Sequence, residues 1–206
     1  MIYDYIIWDW NGTLLDDVGS SLASVNDMLA LRNKEPIDIN TYRDAIGVPI
    51  IKFYEKFFDL ETEDYNTIIK QYNEGYMKHL SSFNLSDGAE TVLEHFKSNG
   101  CTQIIVSSSN NKQLTENVKK YGIYQYFESI LGAEDFMANS KIERAETFLK
   151  NHGKGSSLVI GDLEHDAELA AAIGADCALL TPGHDSISRL KKSGARIIDS
   201  LLELID

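Results

Sequence analysis

The chain has 206 residues, 43% hydrophobic and 25% charged, the proportions of a soluble globular protein with one large domain or two modest ones. Its formal charge of -13 excludes a basic nucleic-acid footprint and sets it against anionic membrane surfaces, while phosphorylated substrates stay admissible if a cation and local donors neutralise them. No apolar run approaches membrane-spanning length, MIYDYIIWDW is acidic where a signal peptide is basic, and Cys101 and Cys177 lack metal-ligand spacing, so a reducing cytoplasm with buried thiols is expected.

The first apolar run is YIIW (5–8), followed by Asp9, Trp10, Asn11 and Gly12. Asn-Gly between apolar residues signals a β-hairpin, but only TLL follows before acidic residues and a helical pattern. From 16 to 85 no buried strand is evident. Helical segments are expected at 17–33, 41–47, 50–60 and 62–80, rich in aromatic residues and long enough for a small bundle, with Phe53, Phe57 and Phe58 in its core. Then apolar runs alternate with amphipathic ones. QIIV (103–106), SLVI (157–160) and CALL (177–180) read as strands buried on both faces, ESILG (128–132) and ARII (195–198) as weaker candidates, and 90–100, 111–122, 141–153 and 166–175 as helices. This order predicts an α/β, doubly wound parallel sheet, with a core of 1–15 and 86–206 and a helical domain of 16–85. A parallel first strand enters a crossover, which weighs against the hairpin.

Ligands on such sheets sit at the carboxyl ends of the strands. There the sequence places Asp9, Asn11, Gly12 and Thr13, then Ser107, Ser108, Ser109 and Asn110, then Gly161, Asp162 and Asp166. Carboxylates from Asp9 and Asp162 suit Mg²⁺, which takes one or two carboxylates and keeps several waters. The ion would let Asp9 approach a phosphate as a nucleophile, with Gly12 allowing close backbone contact and Ser107, Ser108 and Lys141 meeting phosphate oxygens. VIGDLEHD crowds Asp162, Glu164, Asp166 and Glu168 around one turn, a repulsion that a cation relieves. Lys141 is informative because Ser140 and Glu143 fit a capping box, which puts a cation in a helix's first turn against its dipole. A residue placed against local preference suggests a task elsewhere.

Together DWNGTLLDD, IIVSSSN, Ser140-Lys141 and VIGDLEHD resemble the four ordered motifs of the haloacid dehalogenase-like hydrolases, most of all phosphoglycolate phosphatases and β-phosphoglucomutases. The resemblance covers the whole chain and implies a cap domain at the helical insertion. It also implies Asp9 as aspartyl-phosphate nucleophile, Asn11 lending its backbone carbonyl to Mg²⁺, Ser107 and Lys141 on phosphate, and Asp162 and Asp166 as metal-site carboxylates. Arg43 and Gly47, in YRDAIGVPI, are the cap candidates for substrate specificity, Arg43 suiting a second anionic group. The expected partner is a small phosphorylated metabolite, with no nucleic acid and no membrane, for a monomer or weak homodimer.

Two positions depart from the family pattern. Ile142 follows Lys141 where many relatives have proline, and Asn11 stands where phosphatases have a second aspartate as general acid–base. An amide cannot shuttle a proton at neutral pH, and losing such a group costs about 10²–10⁴-fold in rate. A slow phosphatase, with water or a nearby group such as His165 as substitute acid, is one outcome. A phosphonate-cleaving enzyme with Lys52 as Schiff base is another, and a weakly catalytic binding module a third. On sequence alone, Asn11→Asp is expected to raise p-nitrophenyl phosphate turnover by at least about tenfold; an unchanged rate means another group performs the step.

Overall fold

The computed structural model describes residues 3–80, 84–133, 140–153 and 155–205. Six parallel strands form one sheet: β1 (Tyr5–Trp8), β2 (Thr102–Asn110), β3 (Ser129–Ala133), β4 (Ser157–Gly161), β5 (Asp176–Leu180) and β6 (Arg196–Ile198). Their spatial order is β3-β2-β1-β4-β5-β6, so the chain moves one way from β1 and later returns to its other side. The carboxyl end of β1 is thus a topological switch point, where a crevice opens between neighbouring connections. Both neighbours of β1 are parallel to it, so Asn11-Gly12 turns no hairpin. Instead Gly12 N–H and Leu15 N–H donate to Leu15 and Trp10 carbonyls, closing a compact loop beyond the strand.

β1 is buried on both faces. Ile6 and Trp8 join Leu93 and Phe96 of α5 (Ala89–Ser98) and Leu114 and Val118 of α6 (Asn111–Lys120). Tyr5 and Ile7 face Phe148 of α7 (Lys141–His152) and Leu169 of α8 (Glu164–Ile173). Each such apolar side chain contributes about 1.5–3 kcal/mol on burial. The one polar edge of Trp8 is satisfied, its indole N–H donating to Gln103 Oε1 at 3.0 Å, while Gln103 Nε2 donates to Leu93 O at 2.8 Å.

The inserted helices are α1 (Val18–Ala30), α2 (Ile39–Ala45), α3 (Ile51–Phe57) and α4 (Tyr65–Leu80), around their own cluster of Val25, Met28, Tyr42, Phe53, Tyr54 and Ile68. Phe58 is buried in this cluster and Phe57 packs against it. The entry and exit of the insertion run side by side. Leu15 bridges Leu85, Asp16 N–H donates to Asn84 O, and Ser86 N–H to Leu14 O. Among the described residues no helix is long and apolar enough to cross a membrane.

Two arginines fasten α2 to the connection after β5. Arg43 donates from Nε to Gly183 O (2.9 Å) and from a terminal nitrogen to Pro182 O (2.6 Å). Arg189, on the short helix α9 (Ile187–Leu190), reaches the other way to the carbonyls of Ile46, Arg43 and Asp44, and pairs with Asp185 at 3.1 Å. Hydrogen bonds from a charged donor contribute about 1.5–3 kcal/mol. Arg189→Ala is therefore expected to lower the unfolding free energy by about 2 kcal/mol in urea titration; an unmoved midpoint would show that the fastening carries no stability.

Candidate active site

The crevice at the end of β1 gathers residues from four connections. Asp9 follows the strand, 6% exposed, and its Oδ1 lies 2.7 Å from Lys141 Nζ. The same ammonium is 2.9 Å from Asp166 Oδ1. Ser140 and Glu143 form the capping box, with Ser140 Oγ accepting from Glu143 N–H and Glu143 Oε2 from Ser140 N–H, so Lys141 is the first helical residue. Two carboxylates offset its opposition to the helix dipole. Although burial works against the ammonium, Asp166 and Asp9 hold its pKa above the ordinary lysine value.

Asp166 uses its second oxygen to accept from the backbone N–H of Asp162 and Leu163, both at 3.1 Å, tying the turn after β4 back on itself. Asp162 is fully buried, accepting from Thr13 Oγ1 at 3.1 Å and His184 N–H at 2.6 Å. One carboxylate oxygen from each of Asp9, Asp162 and Asp166 lies within 4.8 Å of the other two. Burial raises the carboxyl pKa values of both Asp9 and Asp162. Three buried hard-oxygen donors at this spacing, repelling one another, fit Mg²⁺, whose octahedral sites draw oxygens to about 2.0–2.1 Å.

The serine run of β2 alternates as a strand must. Ser107 is buried and Ser108 exposed, while Ser109 Oγ donates to Asn11 Oδ1 at 2.7 Å. Ser107 Oγ accepts from Ser109 N–H and its carbonyl from Arg144. The structure therefore places Ser109, which sequence reasoning set at the strand end without a role, beside Asn11, and leaves Ser108, expected on phosphate, at the surface. Period-two alternation from Ser107 would have found it.

Gly12 also differs from expectation. Its N–H does not face an open crevice; it donates to Asp17 Oδ1 at 2.7 Å and Leu15 O at 2.9 Å. Its φ is +72°, and a Cβ there would lie 2.2 Å from Asp162 Oδ2 and 2.5 Å from His184 Cδ2. Glycine is required because the carboxylate and the imidazole pack directly onto it.

Asp17 and His184 are the residues that sequence reasoning missed. His184 Nε2 is 3.1 Å from Asp17 Oδ1, and Nδ1 is 2.8 Å from the Tyr42 hydroxyl of the insertion. Burial works against the imidazolium, yet Asp17, with Asp162 and Asp9 behind it, pushes its pKa up to about 9. Burial works the other way on Asp17, but His184, Tyr76 and Asn11 hold its carboxyl below the usual range. The signal for His184 was present, since TPGHD directly follows the CALL run, where strand-end residues gather. Asp17 offered none beyond an acidic pair before a helix.

Other candidates lie elsewhere. His165 pairs with Glu168 at 2.8 Å, and Lys52, its side chain 68% exposed, pairs with Glu55, lacking the desolvation that activates a Schiff-base lysine. Arg43 is engaged on core carbonyls, and Gly47 lies against the guanidinium of Arg189.

The sign of the His184 shift predicts a pH dependence. A raised folded pKa stabilises fully below the ordinary imidazole value, about 6.5, and its contribution is lost as pH rises through about 9. In metal-free buffer the urea midpoint of the wild type should fall across that window more steeply than that of His184→Gln; parallel curves would refute the pairing.

A family model of haloacid dehalogenase-like hydrolases matches residues 6–180. A phosphoglycolate phosphatase of Pseudomonas fluorescens is 24% identical over 212 residues, covering 97% of this chain and 78% of that protein. A 5'-nucleotidase of Pseudomonas aeruginosa is 24% identical over 193 residues, covering 92% and 87%. Among solved structures, one described as a predicted phosphatase from Clostridium acetobutylicum superposes with a TM-score of 0.80 at 24% identity, covering 99% of this chain and 97% of that one. With the motif residues converging at one strand end and the match spanning most of its length, the chain belongs to the haloacid dehalogenase-like hydrolases, and is similar to the phosphoglycolate phosphatases among them.

Proposed function

We infer that the protein hydrolyses a small phosphomonoester by way of a phosphate ester transiently held on Asp9. The observation that carries this reading is the contact of Asp9 with Lys141 at the end of β1, with Asp162 and Asp166 beside it. Similarity to phosphoglycolate phosphatases supports the phosphate chemistry. Lys141 pairs with Asp9 and Asp166 and His184 with Asp17, which among the described residues leaves Asp162 without an ion-pair partner and the crevice with an excess of negative charge that a divalent ion matches. Asp9, Asp162, Asp166 and the Asn11 carbonyl would hold Mg²⁺, which when bound would screen the repulsion between carboxylate and phosphate.

The chain's own residues do the rest. Lys141 orients Asp9 and neutralises a phosphate oxygen, and Asp166 steers Lys141 while bracing the Asp162 turn. Ser107 donates to another phosphate oxygen. The helical insertion acts as a cap that excludes water from the leaving group. Arg43 already spends Nε and one terminal nitrogen on the Gly183 and Pro182 carbonyls, so presenting that edge of its guanidinium to a second anionic group, such as the carboxylate of phosphoglycolate, costs those bonds.

Asp9→Asn is expected to abolish p-nitrophenyl phosphate turnover with the thermal midpoint retained, and undiminished activity excludes the nucleophile. Chelation of divalent ions with EDTA should stop phosphate release, and added Mg²⁺ should restore it. A chain that releases phosphate at full rate in EDTA would remove the metal from this reading.

A further inference from the structure

Asp17 stands at the N-cap of α1, where an aspartate ordinarily accepts from its own helix, yet its side chain makes no capping hydrogen bond. The carboxylate turns into the crevice instead. Oδ1 accepts from Gly12 N–H at 2.7 Å and faces His184 Nε2 at 3.1 Å; Oδ2 accepts from Asn11 Nδ2 at 2.7 Å and from the Tyr76 hydroxyl at 2.6 Å. Asp17 is 1% exposed, so these four partners, from the nucleophile loop, the β5 connection and α4, meet at one buried group. A residue that forgoes its local role to join three distant segments serves the site they form.

Asn11 has the complementary pattern. Its Nδ2 faces Asp17 Oδ2 and the Tyr76 hydroxyl (3.0 Å), and its Oδ1 accepts from Ser109 Oγ at 2.7 Å. Amide nitrogen meets acceptors and amide oxygen meets a donor, so neither end can be reversed without loss. A carboxylate at position 11 would set two anionic oxygens at the 2.7 Å now spanned by a hydrogen bond.

We propose that Asp17 is a positioning residue for the reaction, and that Asn11 and Asp17 work as one amide–carboxylate unit holding the loop that carries Asp9. The role rests on the hydrolase reading above. The pairing has a consequence opposite to the expectation from sequence: Asn11→Asp alone lowers turnover rather than raising it, because it breaks the unit. Exchanging the two, Asn11→Asp with Asp17→Asn, restores one amide facing one carboxylate. The new amide oxygen can accept from Gly12 N–H and His184, and the new carboxylate can accept from Ser109 and from the amide at 17.

The test is a double-mutant cycle on the full chain, using wild type, Asn11→Asp, Asp17→Asn and the double variant. Thermal midpoint and p-nitrophenyl phosphate kinetics with Mg²⁺ are both measured. Each single variant should lose thermal stability and about tenfold or more in kcat, with KM moving less than about threefold. The double variant should recover most of both losses. Recovered stability with kcat still low would show a purely structural pair and overturn the positioning role. A gain in kcat from Asn11→Asp alone, or a double variant no better than the worse single, would overturn the unit itself. The stability arm needs no turnover. If wild type and all variants release no phosphate, the hydrolase reading falls and the positioning role with it, while the thermal cycle still decides the pairing.

Discussion

The structure depends on keeping several carboxylates buried at one strand end. Asp9, Asp17, Asp162 and Asp166 are all nearly or wholly removed from solvent. A buried ionised carboxylate is tolerated only with a cation or hydrogen-bond donors against it. Each of the four has such partners from elements far apart in the chain. Lys141 comes from the start of α7, His184 from the connection after β5, Thr13 from the loop after β1, and backbone N–H groups from the turn after β4. The crevice therefore forms only when the ends of β1, β4 and β5 and the start of α7 are brought together, and its electrostatics couple residues that the chain keeps apart.

The same requirement ties the helical insertion to the core. Tyr42 and Tyr76 of the insertion reach His184 and Asp17, so two of its helices end on the charged network. Arg43 and Arg189 cross in opposite directions between α2 and the β5 connection, each donating to the other segment's carbonyls. Position of the insertion and geometry of the loop that carries Asp9 are thus set by shared contacts. Displacing the insertion would leave the His184 imidazole without the Tyr42 hydroxyl and the Asp17 carboxylate without His184 and the Gly12 N–H.

Much of the fold was legible in the residues. YIIW, QIIV and SLVI are apolar on consecutive positions because central parallel strands are covered on both faces, and each became a strand. The weaker ESILG and ARII runs did too, although β3 and β6 occupy the sheet edges, where one-sided burial dilutes the pattern. Lys141 could be marked because its conflict with the helix dipole is local, and local conflicts can be read from spacing. Strand alternation marks Ser109 and a strand-end position marks His184, but neither names the partner, and Asp17 carries no such mark, since these contacts join residues about 100 or more positions apart or across the insertion.

The sequence by itself determined the alternation of strand and helix, the site of the helical insertion, and the presence of Asp9, Lys141, Asp162 and Asp166 at strand or helix ends. These follow from periodicity and capping, which act within a few residues. Only the tertiary structure decided that Gly12 directs its N–H to Asp17, that Arg43 is held by core carbonyls, and that Asn11 is locked between Ser109 and Asp17. Those outcomes depend on which donors and acceptors come into contact once the sheet closes, and hydrogen bonding at about 3 Å between distant segments leaves no periodic trace in the chain.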